Sequence, residues 1–97
     1  MFRHVAMFRW KPETSTDAVA DIVEQLNGLP AEIPQLRAYH FGTDAGINEG
    51  NHDFVVVADF DSADDYVAYR DNEKHRAISS AFIAPHAAER AAVQYGF

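Results

Sequence analysis

The pattern of apolar positions at the start of the chain predicts a strand that is buried on both faces. Between Phe2 and Trp10 the even positions are mostly apolar or aromatic, and the odd positions include Val5 and Met7. Successive side chains of a strand point to opposite faces of its sheet, so both faces carry apolar groups that need a cover. Pro12 ends the strand, because proline cannot donate to the hydrogen-bonded ladder.

The next segment has the four-residue spacing of an amphipathic helix. Its apolar stripe consists of Ala18, Ile22 and Leu26. Thr14 and Asp17 match the pattern of a hydroxyl residue followed by an acid three positions later, which begins many helices. Asn27 with Gly28, and then Pro30, are stop signals. The pattern therefore predicts one helix between two proline-marked boundaries.

Two further extended segments follow this helix. Residues 35–43, which come after Pro34, predict a second strand. Residues 44–53 are polar and rich in glycine and asparagine, which is typical of a mobile loop. The run Phe54–Phe60 is the strongest strand prediction of the chain, since valine and phenylalanine favour the pleated sheet. It is again apolar on both faces.

The region after the third strand predicts two helices. Ser62 with Asp65 at the third helical position is a second capping pattern, and it begins a short helix through about Tyr69. Residues 71–72 break this helix. Another helix is predicted over residues 73–84, until a proline interrupts it.

The last segment predicts a strand over residues 91–95, because valine and tyrosine favour the sheet. The resulting order, βαββ(α)αβ, is the split pattern of ferredoxin-like α+β folds. It implies a four-stranded antiparallel sheet with helices on one face. The other apolar face, which includes Val55 and Val57, is then bare. We expect a second copy of the same sheet to cover it, which predicts a homodimer that forms through the sheet faces.

Composition limits the class of protein. The chain has 97 residues and a net charge of −7, with no cysteine. It therefore predicts a single domain over residues 1–97, without disulfides or thiolate chemistry. The negative charge argues against binding to nucleic acid or to an anionic membrane surface. There is no apolar run of about 18–20 residues and no signal-peptide pattern, so we expect a cytoplasmic protein.

The chain resembles the stress-responsive dimeric α+β barrel family, often called Dabb domains, over essentially its whole length. The order and spacing of several segments carry this resemblance. They are residues 4–11, Ile33-Pro34, Gly42, residues 53–62, Tyr69 and His75. The resemblance implies a βαββ(α)αβ protomer whose sheet packs on a partner's sheet to form a barrel.

The resemblance also suggests a reaction. The best understood enzymes of the family are plant polyketide cyclases, which close a linear polyketide by aldol condensation and use a Tyr and a His six residues apart. Tyr69 and His75 have this spacing. A further His of those enzymes lines the cavity from the first strand, where His4 lies here. A third cavity His lies on the third strand, and Phe54 stands at that position, which departs from the cyclase pattern.

The residues themselves leave the role of this pair open. His75 shares a helix face with Ile78 and Phe82, so it should turn inward. An inward imidazole is either a core histidine, a ligand contact, or a general base that removes a proton next to a carbonyl. Tyr69 then polarises the carbonyl oxygen, or it simply hydrogen-bonds to His75 and ties two helices together.

A cavity between sheet and helices is the expected ligand site. On the first strand, His4 and the small Ala6 share a face. The resemblance adds Ile22, Leu26, Phe54 and Val56 to the lining. These aliphatic and aromatic side chains are equally typical of an ordinary core.

Metal and cofactor sites are not predicted. The remaining histidines, His40, His52 and His86, form no metal-binding motif, and no residue stands out as a haem ligand. The glycines are too scattered for a nucleotide-binding loop. We therefore expect neither metal nor cofactor.

Three functions fit these observations. The first is a homodimer that binds a small, apolar, carbonyl-bearing ligand in a pocket between sheet and helices. The second is a cofactor-free enzyme of the cyclase or isomerase type that uses the Tyr–His pair, with a cofactor-free monooxygenase as a further alternative. The third is a purely structural dimer module, or one that binds another protein, and the absence of a cavity would favour it.

Overall fold

The computed structural model describes all residues, 1–97, as four strands with helices between them. In chain order the elements are β1 (Phe2–Trp10), α1 (Thr16–Asn27), α2 (Leu29–Glu32), β2 (Ala38–Thr43), β3 (Phe54–Phe60), α3 (Ala63–Asp71), α4 (Glu73–Ile78), a π-helical turn (Ser79–Ile83) and β4 (Ala87–Gly96). The strands form one antiparallel sheet in the order β2-β3-β1-β4. The predicted ferredoxin-like α+β fold is confirmed.

The central strand β1 determines which side chains share a face. Ala6 lies opposite Val56 of β3 and Ala92 of β4. The even positions His4, Ala6 and Phe8 turn toward the helices and are buried. The odd positions turn to the other face, which no element of the chain covers. We call the first the covered face and the second the open face.

The core lies between the covered face and the helices. Helix α1 places Ile22 and Leu26 against the sheet, and both are fully buried or nearly so. Phe54 and Phe60 of β3 pack below them in the same cluster. Burial of each such side chain contributes roughly 1.5–3 kcal/mol to the free energy of folding, so this layer is the main source of stability within one chain.

Two boundaries of the first helical region differ from the prediction. Ser15, not Thr14, caps α1: its Oγ accepts a hydrogen bond from the amide of Ala18 at 3.0 Å. The amide of Thr14 instead donates to the carbonyl of Lys11 and belongs to the preceding turn. Pro30 lies in the first turn of α2 rather than only ending α1, because a proline is tolerated there, where its missing N–H is not needed.

The later elements follow the prediction with different lengths. Ser62 caps α3 by accepting from the amide of Asp65 at 3.2 Å, as expected. The single helix predicted over residues 73–84 is split, because the backbone widens after α4 and the amide of Ala84 donates to the carbonyl of Ser79, five residues earlier. Strand β2 begins later than residue 35, and β4 extends beyond residues 91–95 at both ends. None of the helices has the length and apolar character needed to cross a membrane.

Candidate functional site

A cavity of about 400 Å³ lies between the covered face of the sheet and the helices. Its volume is within the range of small-molecule sites, and its wall is mostly apolar. Most of the side chains that the sequence places in the site line it. These are His4, Ala6, Leu26, Val56, Tyr69 and His75. Residues from β1, α1, β3, α3 and α4 are therefore brought to one place.

Two residues expected in the lining lie elsewhere. Ile22 is completely buried in the core on the sheet side of α1. Phe54 stands at the start of β3, where its ring packs beside Trp10 with a centroid distance of 5.6 Å. Both side chains belong to the buried core cluster and not to the cavity wall.

The hydroxyl of Tyr69 forms a hydrogen bond with the hydroxyl of a second tyrosine. Its oxygen lies 3.0 Å from the hydroxyl oxygen of Tyr39, which comes from β2. Burial raises the pKa of Tyr69 well above its usual range and raises the pKa of Tyr39 to about 12, so both are protonated at neutral pH. In such a pair one hydroxyl donates to the other, and the second keeps a proton for a third group. The pair therefore presents a donor to the cavity.

His75 contacts Tyr69 through its ring and not through a hydrogen bond. The two ring centroids are 4.1 Å apart. The Nδ1 atom of His75 lies 3.3 Å from the carbonyl oxygen of Arg70, and a carbonyl can only accept, so we assign the proton to Nδ1. Nε2 then carries the lone pair. Burial, reinforced by the charge of Arg90, lowers the pKa of His75 below its ordinary value, and the ring is neutral at pH 7.

In His4 the protonated nitrogen and the acceptor nitrogen are exchanged relative to His75. Its Nδ1 lies 2.8 Å from the side-chain amide nitrogen of Gln94, which donates, so the proton of the neutral ring resides on Nε2. The ring is buried and lies 4.8 Å from the ring of Tyr66. Burial is the main reason that the pKa of His4 is lowered to about 4. His4 is therefore a neutral donor across a wide pH range.

These groups define what the site can do. An apolar wall carries one strong acceptor, Nε2 of His75, and donors from His4 and from the pair of tyrosines. A donor set of this kind suits a carbonyl oxygen, and an adjacent acceptor can take a proton. No three His, Cys, Asp or Glu side chains come close enough together to bind a metal ion.

A family model matches almost the whole chain. The model of the Stress responsive A/B Barrel Domain, Dabb, matches residues 2–97. The chain belongs to the Dabb family. No curated protein matches the sequence.

Solved structures with the same fold include proteins with and without known activity. A dimeric ferredoxin-like protein of unknown function from Thermobifida fusca is 46% identical, with a TM-score of 0.91 over 99% of this Dabb chain and 90% of its own. A dimeric protein of unknown function from Bacteroides fragilis is 24% identical, with a TM-score of 0.83, and the match covers 99% of this chain and 95% of that protein. The hydroxynitrile lyase from Passiflora edulis is 18% identical, with a TM-score of 0.84 over 97% and 90%.

Several cavity residues of this Dabb domain escaped the sequence analysis. Tyr39 and Tyr66 both line the cavity, and so does Arg90. Tyr39 alternates with Phe41 on β2, which is a signal of a shared strand face. No sequence pattern indicates that Arg90 lines the cavity, because its position opposite Phe8 depends on the register of β4.

Proposed function

We propose that this Dabb protein is a homodimer that binds a small, apolar, carbonyl-bearing molecule in the cavity between sheet and helices. The observation that carries this proposal is the cavity itself: an apolar wall with a hydroxyl pair and two neutral imidazoles at defined positions. A carbonyl oxygen would accept from the hydroxyl that remains free in the pair of Tyr39 and Tyr69. The apolar body would lie against Ala6, Leu26 and Val56.

The dimer follows from the open face of the sheet. Met7, Val93 and Tyr95 are substantially exposed in one chain, although they lie on the two strands β1 and β4 of a regular sheet. A second copy would cover this apolar surface and would close a barrel of two sheets. The relatives from T. fusca and B. fragilis, which are dimeric ferredoxin-like proteins, support this assembly.

A binding measurement tests the ligand class. The probes are 4-phenylbutan-2-one, which carries a ketone, and butylbenzene, which lacks it. We expect the ketone to raise the melting temperature more than the hydrocarbon does. A protein with Tyr39→Phe and Tyr69→Phe should bind the ketone roughly fivefold more weakly, because the rings remain and only the hydroxyl donors are lost. Equal stabilisation by both probes, or by neither, would contradict the proposal.

A second candidate is a cofactor-free enzyme of the cyclase or isomerase type. Its specific support is the orientation of His75. The carbonyl of Arg70 accepts from Nδ1 and so fixes the ring beside Tyr69, and Nε2 keeps its lone pair. Nε2 would remove a proton from the carbon beside a bound carbonyl, and a tyrosine hydroxyl would donate to the oxygen that becomes negative. No cavity group specifically favours the cofactor-free monooxygenase, which stays a prediction, as does the cytoplasmic location.

Proton exchange separates this candidate from simple binding. In D₂O, a working base should speed the incorporation of deuterium beside the carbonyl of 4-phenylbutan-2-one, measured by NMR. His75→Gln keeps a donor for the carbonyl of Arg70 but has no basic nitrogen, so we expect binding to remain and catalysed exchange to disappear. His52→Gln, outside the cavity, is the matched control. Exchange at the wild-type rate in His75→Gln would exclude His75 as the base.

A further inference from the structure

Arg90 is one of two arginines whose guanidinium has no partner within the chain, and of these two only Arg90 lines the cavity. Arg3, Arg9 and Arg37 form ion pairs with carboxylates of β3, β4 or the end of β3. Arg70 also lines the cavity, but its guanidinium is bound to Asp71 at 2.9 Å. The guanidinium of Arg90 makes no hydrogen bond and no ion pair within the chain. It is nevertheless one of the side chains that line the cavity.

Arg90 lies where its positive charge acts on the cavity. It lies on β4 opposite Phe8, on the covered face of the sheet, and is exposed at the edge of the cavity. Its charge contributes to the lowered pKa of both His4 and His75, so its field reaches across the cavity. The chain has fifteen acidic residues against eight basic ones, yet none of those carboxylates binds this guanidinium.

We propose, on the basis of the binding function above, that the ligand is an apolar oxo acid whose carboxylate is bound by Arg90. A guanidinium presents a planar fork of N–H donors that matches the two oxygens of a carboxylate. The ketone oxygen of the same molecule then lies deeper, near Tyr39 and Tyr69, and the apolar body lies against the apolar wall of the cavity. A single cation at the edge of an apolar cavity matches one negative charge, which favours a carboxylate over a phosphate dianion.

Calorimetry with two matched probes tests this assignment. The acid is 4-oxo-4-phenylbutanoate, and the neutral analogue is its primary amide, which keeps the ketone and the ring. We expect the wild-type protein to bind the acid about tenfold more tightly than the amide, as for a hydrogen bond to a charged group. In Arg90→Gln the acid should lose about tenfold in affinity, and the amide should be unaffected.

Arg76→Gln is the matched control, because Arg76 on α4 is also without an ion pair but does not line the cavity. Both probes should bind this variant as they bind the wild type. NMR adds a readout that a merely structural role would not change: neutralisation of Arg90 by the acid should raise the pKa of His75, and the amide should not.

The outcomes distinguish this inference from the proposed function. Equal affinity for acid and amide in the wild type, or an equal loss for both in Arg90→Gln, would overturn the role of Arg90 and leave ketone binding intact. Failure of both probes to bind would overturn the inference together with the proposed ligand class. Thermal unfolding of Arg90→Gln shows whether the variant is folded, and a folded variant is expected because the side chain is exposed.

Discussion

The two faces of the sheet are similarly apolar in sequence but differ in what covers them. On β1, Ala6 and Phe8 of the covered face are only 3% and 7% exposed, whereas Met7 between them is 38% exposed on the open face. Helices from the same chain cover one side, and nothing in the chain covers the other. The alternation of apolar residues therefore shows that both faces of the sheet must be covered, but it does not show which face the chain covers with its own helices.

The polar groups of the two faces differ as well. The cavity on the covered face carries neutral polar groups, namely His4 and the tyrosines, and the charged Arg90 lies at its edge. The open face carries a charged pair: two nitrogens of Arg3 bind the carboxylate of Asp59 at 2.7 and 2.9 Å, and the guanidinium lies 4.6 Å from the ring centroid of Phe97. Neutral donors suit ligand recognition, and a carboxylate that is already paired with a guanidinium can be buried against a partner at a lower cost than an unpaired charge.

The largest expected effect comes from the covered face. Phe60 is completely buried, and its ring lies 5.3 Å from that of Tyr69. Phe60→Ala should lower the free energy of unfolding by about 3–5 kcal/mol, because a large cavity remains. Urea denaturation measures the loss. Val67→Ala on the exposed side of α3 is the control and should change stability by about 0.5 kcal/mol or less. Similar losses in both variants would mean that this layer is not the main core.

The open face should control assembly. Val93 is 55% exposed in one chain, and an aspartate there would be buried without a partner in the proposed dimer. Val93→Asp should weaken dimerisation by about a hundredfold, or about 2.7 kcal/mol, which sedimentation measures as a shift toward monomer. Ile47→Asp in the exposed loop is the control and should leave the assembly unchanged. A Val93→Asp protein that stays dimeric would place the interface elsewhere.

Much of the fold could be predicted because it depends on local patterns. Alternation identified β1 and β3, and serine caps with an acid three residues later identified the start of α3. The π-helical turn Ser79–Ile83 could not be predicted, because its hydrogen bond from Ala84 to Ser79 depends on the packing of the chain before β4. The cap of α1 was misplaced by one residue, because Thr14 and Ser15 have the same capping chemistry.

The candidate site was only partly predictable for a different reason. His4, Tyr69 and His75 were identified through the family resemblance, and the structure brings all three to one cavity. The partner of Tyr69 was missed because Tyr39 lies 30 residues earlier, and only the register of β2 against β3 brings the two hydroxyls together. The missing partner of Arg90 is likewise a property of the folded chain, not of any motif.

The ion pair of Arg3 and Asp59 on the open face should make the stability of the fold depend on pH. The guanidinium holds the pKa of Asp59 below its ordinary value of 3.8. A carboxyl with a lowered folded-state pKa stabilises the fold above its unfolded-state pKa and loses this effect as the pH falls through the folded value. Asp59→Asn should therefore be less stable than the wild type at pH 7, and the difference should shrink below pH 3.8.

Denaturation at several pH values measures this difference. Asp61→Asn removes the exposed pair with Arg37, and we expect a smaller change at every pH, because solvent screens exposed ion pairs. A stability difference for Asp59→Asn that is constant from pH 7 to pH 2 would show that the carboxylate contributes through shape alone and not through its charge.

A second pH dependence of stability should originate on the covered face. Burial lowers the pKa of His4 from 6.5 to about 4 in the folded chain, so between these values the unfolded chain binds a proton that the folded chain does not. Stability should therefore fall as the pH is lowered from 6.5 to 4. His4→Gln cannot titrate and should show a shallower fall, and the double variant with His75→Gln a shallower one still. An unchanged slope in His4→Gln would mean that His4 takes up its proton without unfolding, and that the covered face is wetter than its exposed fractions indicate.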